Sequence, residues 1–191
     1  MLISSRGSSA LRRSLSTLGN FDAVAVVPHG SGQRLVTAKP IRAGEVLFRF
    51  TGMLIRRNTG DRCLQVGQGA YLTPAPAAPE PPWVFLNHSF DPSVSLSHPP
   101  LEARKGPGEV TPPVLTATAC VPLPAAAALT IDYTLHEYVM FGDGFVCEAS
   151  GRAVRGFHFL DEAAQEAALP RAMQHIRSLH GQYLFGKESR C

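Results

Sequence analysis

The stretch "FLNHSFDPSV", residues 85–94, sets Asn87, His88 and Ser89 in a row directly behind Trp83, Val84, Phe85 and Leu86, with Asp91-Pro92 following. An amide and an imidazole against the most apolar local run need partners, because buried donors and acceptors are costly when unpaired. A polar ligand lodged beside them would supply such partners. Asn87-His88-Ser89 also spells an N-x-S glycosylation acceptor, although nothing in the sequence indicates secretion. Taken alone, His88 reads equally well as a half-buried structural histidine.

At 191 residues with 45% hydrophobic content, the chain is long enough for one domain around one core. The charged fraction of 17% is below the usual quarter, so general disorder is excluded. Seventeen glycines and 16 prolines favour short strands and many turns over a helical bundle. The net charge of +3 is small, and no Lys/Arg block interleaves with aromatics, so no direct nucleic-acid partner is expected. No run of about 18 apolar residues exists to span a membrane. Cys63, Cys120, Cys147 and Cys191 form no C-x-x-C pair and have no spaced histidine beside them. They read as buried or incidental thiols of a reducing compartment, with no metal site expected.

Residues 1–20 differ from the rest. They hold Arg6, Arg12, Arg13 and six serines, with no acidic residue. This is the composition of an organelle transit peptide, and equally of a disordered basic tail. An intracellular protein is expected, in a mitochondrion or plastid if the segment is a transit peptide and in nucleus or cytoplasm otherwise.

Alternation and β-branched residues mark strands at 21–27, 34–38, 45–50, 62–66, 114–120 and 129–133. "TPAPAAPEPP" (73–82) is too proline-rich for a helix or central strand, and 98–113 has the length of an inserted loop. "PIRAGEVL" (40–47) and "PLPAAAAL" (122–129) echo one another in register, which predicts a strand-turn-strand hairpin at each. From residue 161 the pattern turns helical. Asp161 caps a helix that stops before Pro170, and a second runs from Pro170 to Gly181 with Met173, Ile176 and Leu179 or His180 on one face. The expected organisation is therefore a tail at 1–20, a β-rich domain at 21–160 and a helical extension at 161–191.

The order of these pieces resembles the SET-domain family of protein lysine methyltransferases. The matching stretches are "GSG" (30–32), "TAKPIRAGEVL" (37–47), "NHSFDPSV" (87–94) and "LTIDY" (129–133), and "FVCEASGRAVRG" (145–156) is similar to the family's post-SET segment. The match spans roughly residues 22–160. It implies a β-rich α+β fold of several small sheets, in which the Asn-His segment packs against the strand ending in Asp-Tyr, in a pseudoknot-like threading. It also implies S-adenosyl-L-methionine as cofactor, held by Gly30, Ser31, Gly32, Asn87, His88 and Phe145. Tyr133 would be the catalytic tyrosine, and a lysine of a protein or peptide would be the substrate. A monomer is expected.

The implied chemistry is an in-line attack of a neutral amine on a sulfonium methyl. Free lysine is almost entirely ammonium at neutral pH, with a pKa near ~10.4, so an apolar channel must disfavour the charged form. Positioning contributes the larger share, up to ~7–11 kcal/mol in the best cases.

Several positions depart from the family pattern. Alignment on Ile41 puts Arg34 where the second glycine of the cofactor turn belongs. Ala126, Ala127 and Ala128 stand in place of Gly-Glu-Glu, which costs ~1–2 kcal/mol if position 126 requires a positive φ. Ser93 and Phe90 replace an asparagine and a cysteine, and Ala149 and Val154 replace two post-SET cysteines, so no post-SET zinc is expected. The alternative to an enzyme is a catalytically inactive SET-like fold that binds the cofactor or a protein partner. An unrelated β-rich domain would instead leave residues 85–89 and 130–133 apart.

Overall fold

The computed structural model describes residues 21–60, 62–76, 80–99 and 111–188, with only the backbone described for 186–188. The tail at 1–20 and most of the loop at 98–113 lie outside the described residues.

The architecture is a β-rich α+β fold of small sheets with two helices at its C-terminal end. Strands β1 (Val24–His29) and β2 (Gly32–Thr37) form an antiparallel hairpin. Strand β3 (Val46–Phe50) pairs with β9 (Leu115–Ala119), which pairs in turn with β8 (Val94–Ser97). Strands β4 (Met53–Ile55), β5 (Leu64–Gly67) and β6 (Ala70–Thr73) form a second three-stranded sheet with β6 in the middle. Two-residue strands β7 (Asn87–His88) and β10 (Thr130–Ile131) run parallel, and β11 (Phe145–Val146) pairs antiparallel with β12 (Ala153–Val154).

Alternation decides which faces are buried. In β9, Leu115, Ala117 and Ala119 point inward while Thr116 and Thr118 are half-buried, the period-two pattern of a strand with one wet face. Phe48, Phe50, Leu72, Leu115 and Leu129 meet in one core, and each such side chain contributes roughly 1.5–3 kcal/mol on burial. Phe50 stacks on Trp83 at 5.0 Å between ring centroids, which anchors the apolar run that leads into Asn87.

The two echoing segments are not hairpins, contrary to expectation. Each carries a tight turn, but their strands pair with one another. Ile41 and Leu123 exchange both backbone hydrogen bonds at 2.9 Å. The Gly44 N–H donates to the Ala119 carbonyl and the Ala126 N–H to the Thr37 carbonyl, both at 2.8 Å. Thr37, Ile41 and Gly44 thus correspond to Ala119, Leu123 and Ala126 in a two-fold-like exchange. Equivalent bonds demand equivalent backbone. Gly44 has φ +78° and Ala126 φ +62°, the one positive φ at a non-glycine among the described residues. The alanine stands where the turn requires a left-handed conformation.

Helix α1 (Glu162–Ala168) begins at the expected cap, where the Asp161 carboxylate accepts from the Ala164 N–H at 2.8 Å. Helix α2 (Gln174–Glu188) starts four residues after Pro170 and continues through Gly181. An interior glycine costs about 1 kcal/mol relative to alanine, too little to end a helix whose fully buried Ile176 packs with Leu135, Phe157, Ala168 and Ala172. This second, smaller core ties the helices to the segment after Tyr133.

Candidate active site

Pairing in the parallel β7/β10 ladder puts Asn87 opposite Thr130 and His88 opposite Ile131, and the Ser89 N–H donates to the Ile131 carbonyl at 3.0 Å. The two segments that carry the motif resemblance are therefore side by side. Beyond β10, Asp132 caps the 3-10 turn Tyr133–Leu135 by accepting from the N–H and hydroxyl of Thr134. That turn holds Tyr133 across from the Leu86–His88 segment. The Tyr133 hydroxyl donates to the Leu86 carbonyl at 2.7 Å, and its N–H donates to His88 Nδ1 at 3.2 Å.

These contacts fix the state of His88. A ring nitrogen that accepts a backbone N–H carries no proton, so the neutral ring is protonated on Nε2. The side chain is 1% exposed. Burial pushes its pKa below the usual value, Asp132 at 3.9 Å opposes this, and Arg152 adds to it. Rings of Phe90, Tyr133 and Phe145 surround the imidazole at 4.5, 5.3 and 5.7 Å. Arg152 lies over the ring of Phe90, 4.0 Å from its centroid.

A cavity of about 1030 Å³ opens here, at the upper end of the ~300–1,000 Å³ range of small-molecule sites. Asn87, His88, Tyr133 and Phe145 all line it. Gly30, Ser31 and Gly32 do not. Gly30 and Ser31 form the solvent-exposed tip of the β1–β2 hairpin, and the wall takes His29 and Arg34 from either side of that tip. The register of β1 with β2 carries both glycines to the tip, while Arg34 occupies the position that faces inward. Asn87 reaches the same strand, its amide donating to the Gln33 carbonyl at 3.5 Å.

Four polar atoms of the lining residues are buried without a hydrogen-bond partner among the described residues. They are Arg34 Nε, Trp83 Nε1, His88 Nε2 and Glu137 Oε2. Buried polar groups in folded proteins are nearly always paired, and these four belong to residues that line one cavity. Motif reading missed Trp83 and Glu137. Glu137 is an isolated acid in the apolar run "LHEYVM" (135–140), the same signal that singled out Asn87-His88.

In the β11–β12 hairpin, Val154 is fully buried and Cys147 is 3% exposed. The Cys147 thiol accepts from Ser150 and from backbone N–H groups, which hold its pKa below the ordinary value despite burial. Among the described residues, no group of three or more His, Cys, Asp or Glu side chains is arranged to hold a metal ion.

No family model matches the sequence, and no curated protein matches it. Among solved structures 116 chains match. One is Plasmodium falciparum PFL0690c, described as a "putative histone methyltransferase", at 15% identity and a TM-score of 0.45, covering 59% of this chain and 93% of that one. At that level the match identifies neither family nor activity, and the functional reading rests on the residues.

Proposed function

We propose that this chain transfers a methyl group from S-adenosyl-L-methionine to a lysine side chain of a protein substrate. The observation that carries the reading is the convergence of Asn87, His88, Tyr133 and Phe145, each singled out by motif resemblance, on one cavity walled by orphaned polar atoms. The donor set suits the cofactor. Phe145 offers a flat apolar face for a purine, His88 Nε2 and Trp83 Nε1 offer N–H donors, and Arg34 offers a cation for a carboxylate. A cavity of this size leaves room for an entering side chain as well.

When bound, the cofactor supplies an electrophilic methyl on a sulfonium centre. The chain supplies position and a dry environment. Tyr133 is held by its bond to the Leu86 carbonyl, so its hydroxyl sits at a fixed point of the wall. Leu86, Phe50 and Met140 exclude water from the same wall, which favours the neutral, nucleophilic amine over the ammonium ion. Preorganised contacts of this kind act on the transition state without reorganisation when the reaction occurs.

Incubation of the protein with isotopically labelled S-adenosyl-L-methionine and a lysine-peptide library tests the proposal. Label on lysine Nζ, slowed in Tyr133→Phe, is expected. Wild-type protein that binds the cofactor but labels nothing would favour the inactive binding module.

A further inference from the structure

We infer that Glu137 is the group that receives the substrate's cationic side chain in this cavity and takes its proton. The inference rests on the methyl-transfer reading and adds to it a named base.

Glu137 follows the turn that positions Tyr133, and its N–H donates to the Tyr133 carbonyl at 2.8 Å. The residue is 5% exposed and lines the cavity. Its Oε1 accepts from the Gln65 N–H at 2.6 Å, while Oε2 is buried without a partner among the described residues. A purely structural acceptor for the Gln65 N–H needs one oxygen. The Gln65 side chain already ties this segment to β5, accepting from the Tyr138 N–H and donating to the Gly67 carbonyl. The second carboxylate oxygen has no structural task, and a cation entering the cavity gives it one.

Two arginines line the cavity among the described residues, and Arg34 is the one assigned above to the donor's carboxylate. Arg62 lines the cavity but pairs with Glu80. Tyr71 of β6 is the titratable group that feels Glu137 from the neighbouring sheet, with Cys63 beyond it, and His136 and Tyr138 flank Glu137 on its own segment. Burial raises the carboxyl to about 7, only partly countered by the Gln65 N–H. A carboxylate so poised accepts a proton near neutral pH and releases it again.

The proton moves from the substrate ammonium to Glu137 Oε2, leaving a lone pair on the amine nitrogen. That pair forms the new C–N bond as the methyl–sulfur bond of the sulfonium donor breaks, the electron pair staying on sulfur as a thioether. The nitrogen ends as a methylammonium, and Glu137 returns its proton to water.

The test uses n-butylammonium, a lysine side-chain mimic that stays charged across the range, titrated into the full-length protein by NMR at pH 6 and pH 8. With the carboxyl at about 7, wild-type affinity should rise roughly tenfold over that interval as Glu137 ionises. Glu137→Gln should bind at least ~10-fold more weakly at pH 8, show no pH dependence, and keep the wild-type affinity for S-adenosyl-L-methionine. Equal n-butylammonium affinity in variant and wild type, a flat wild-type profile, or no wild-type binding at all would each overturn the inference. The wild-type profile stands on its own should the variant not fold. Failure of wild-type protein to bind S-adenosyl-L-methionine, with Glu137-dependent cation binding intact, would overturn the methyl-transfer reading instead.

Discussion

Replacing Glu137 by glutamine should make the protein more stable, and increasingly so as pH rises. The carboxyl titrates at about 7 in the fold against 4.5 for its ordinary value, chiefly because burial disfavours the charged form. A raised carboxyl pKa means that the folded state keeps a proton that the unfolded state has lost between pH 4.5 and 7. Stability therefore falls as pH rises through that window. At 1.36 kcal/mol per unit, the ionised carboxylate costs about 3 kcal/mol at pH 8 and under about 1 kcal/mol at pH 5. Glutamine keeps the acceptor for the Gln65 N–H and never ionises. Urea denaturation of both proteins at pH 5 and pH 8 measures the difference. The stabilisation should grow by about 2 to 3 kcal/mol between the two pH values. A variant destabilised at pH 8, or a difference that does not change with pH, would refute a buried, strained carboxylate at this position.

Other perturbations have distinct outcomes. Tyr133→Phe removes the bond to the Leu86 carbonyl, so chemical melts should show a loss of ~0.5–1.5 kcal/mol, and kinetics should show the rate falling more than cofactor affinity. Asn87→Ala should do the reverse, weakening cofactor binding by ~1–3 kcal/mol in calorimetry. Burial, reinforced by His175 and His98, pushes His136 down to about 3, and burial pushes His175 to about 4. Both are neutral in the fold and charge on unfolding below pH 6.5, so stability should be lost as pH falls from 6.5 towards 4. Between pH 6.5 and 4.5 Glu137 offsets one of the two, giving a net slope near ~1.4 kcal/mol per pH unit in wild type and about twice that in Glu137→Gln, read from urea midpoints. Ala126→Gly relieves the positive φ of +62° and should raise stability by roughly 0.5–1 kcal/mol in the same assay.

Sequence reading succeeded where one residue type determines a local conformation, and where a motif fixes an order of pieces. The Asp161 cap and the requirement for positive φ at Ala126 are of the first kind. The meeting of Asn87 with Thr130 is of the second. Strands β7, β10, β11 and β12 have two residues each, too short for any periodicity. The expected hairpins at 40–47 and 122–129 failed because a turn residue specifies a turn, not the strand that it pairs with. Gly30 and Gly32 lie at the exposed tip of the β1–β2 hairpin while Arg34 lines the cavity, a placement set by strand register and not by residue type. Glu137 was legible in principle as a lone acid in an apolar run. Its partner Gln65 lies far along the chain on β5, and no local pattern joins the two.

Calorimetric titration of the full-length protein with S-adenosyl-L-methionine tests the central claim most directly. Saturable one-to-one binding that Asn87→Ala weakens and Glu137→Gln preserves is the predicted result. No binding heat under conditions where the protein is folded would contradict the assignment of this cavity as a methyl-donor site.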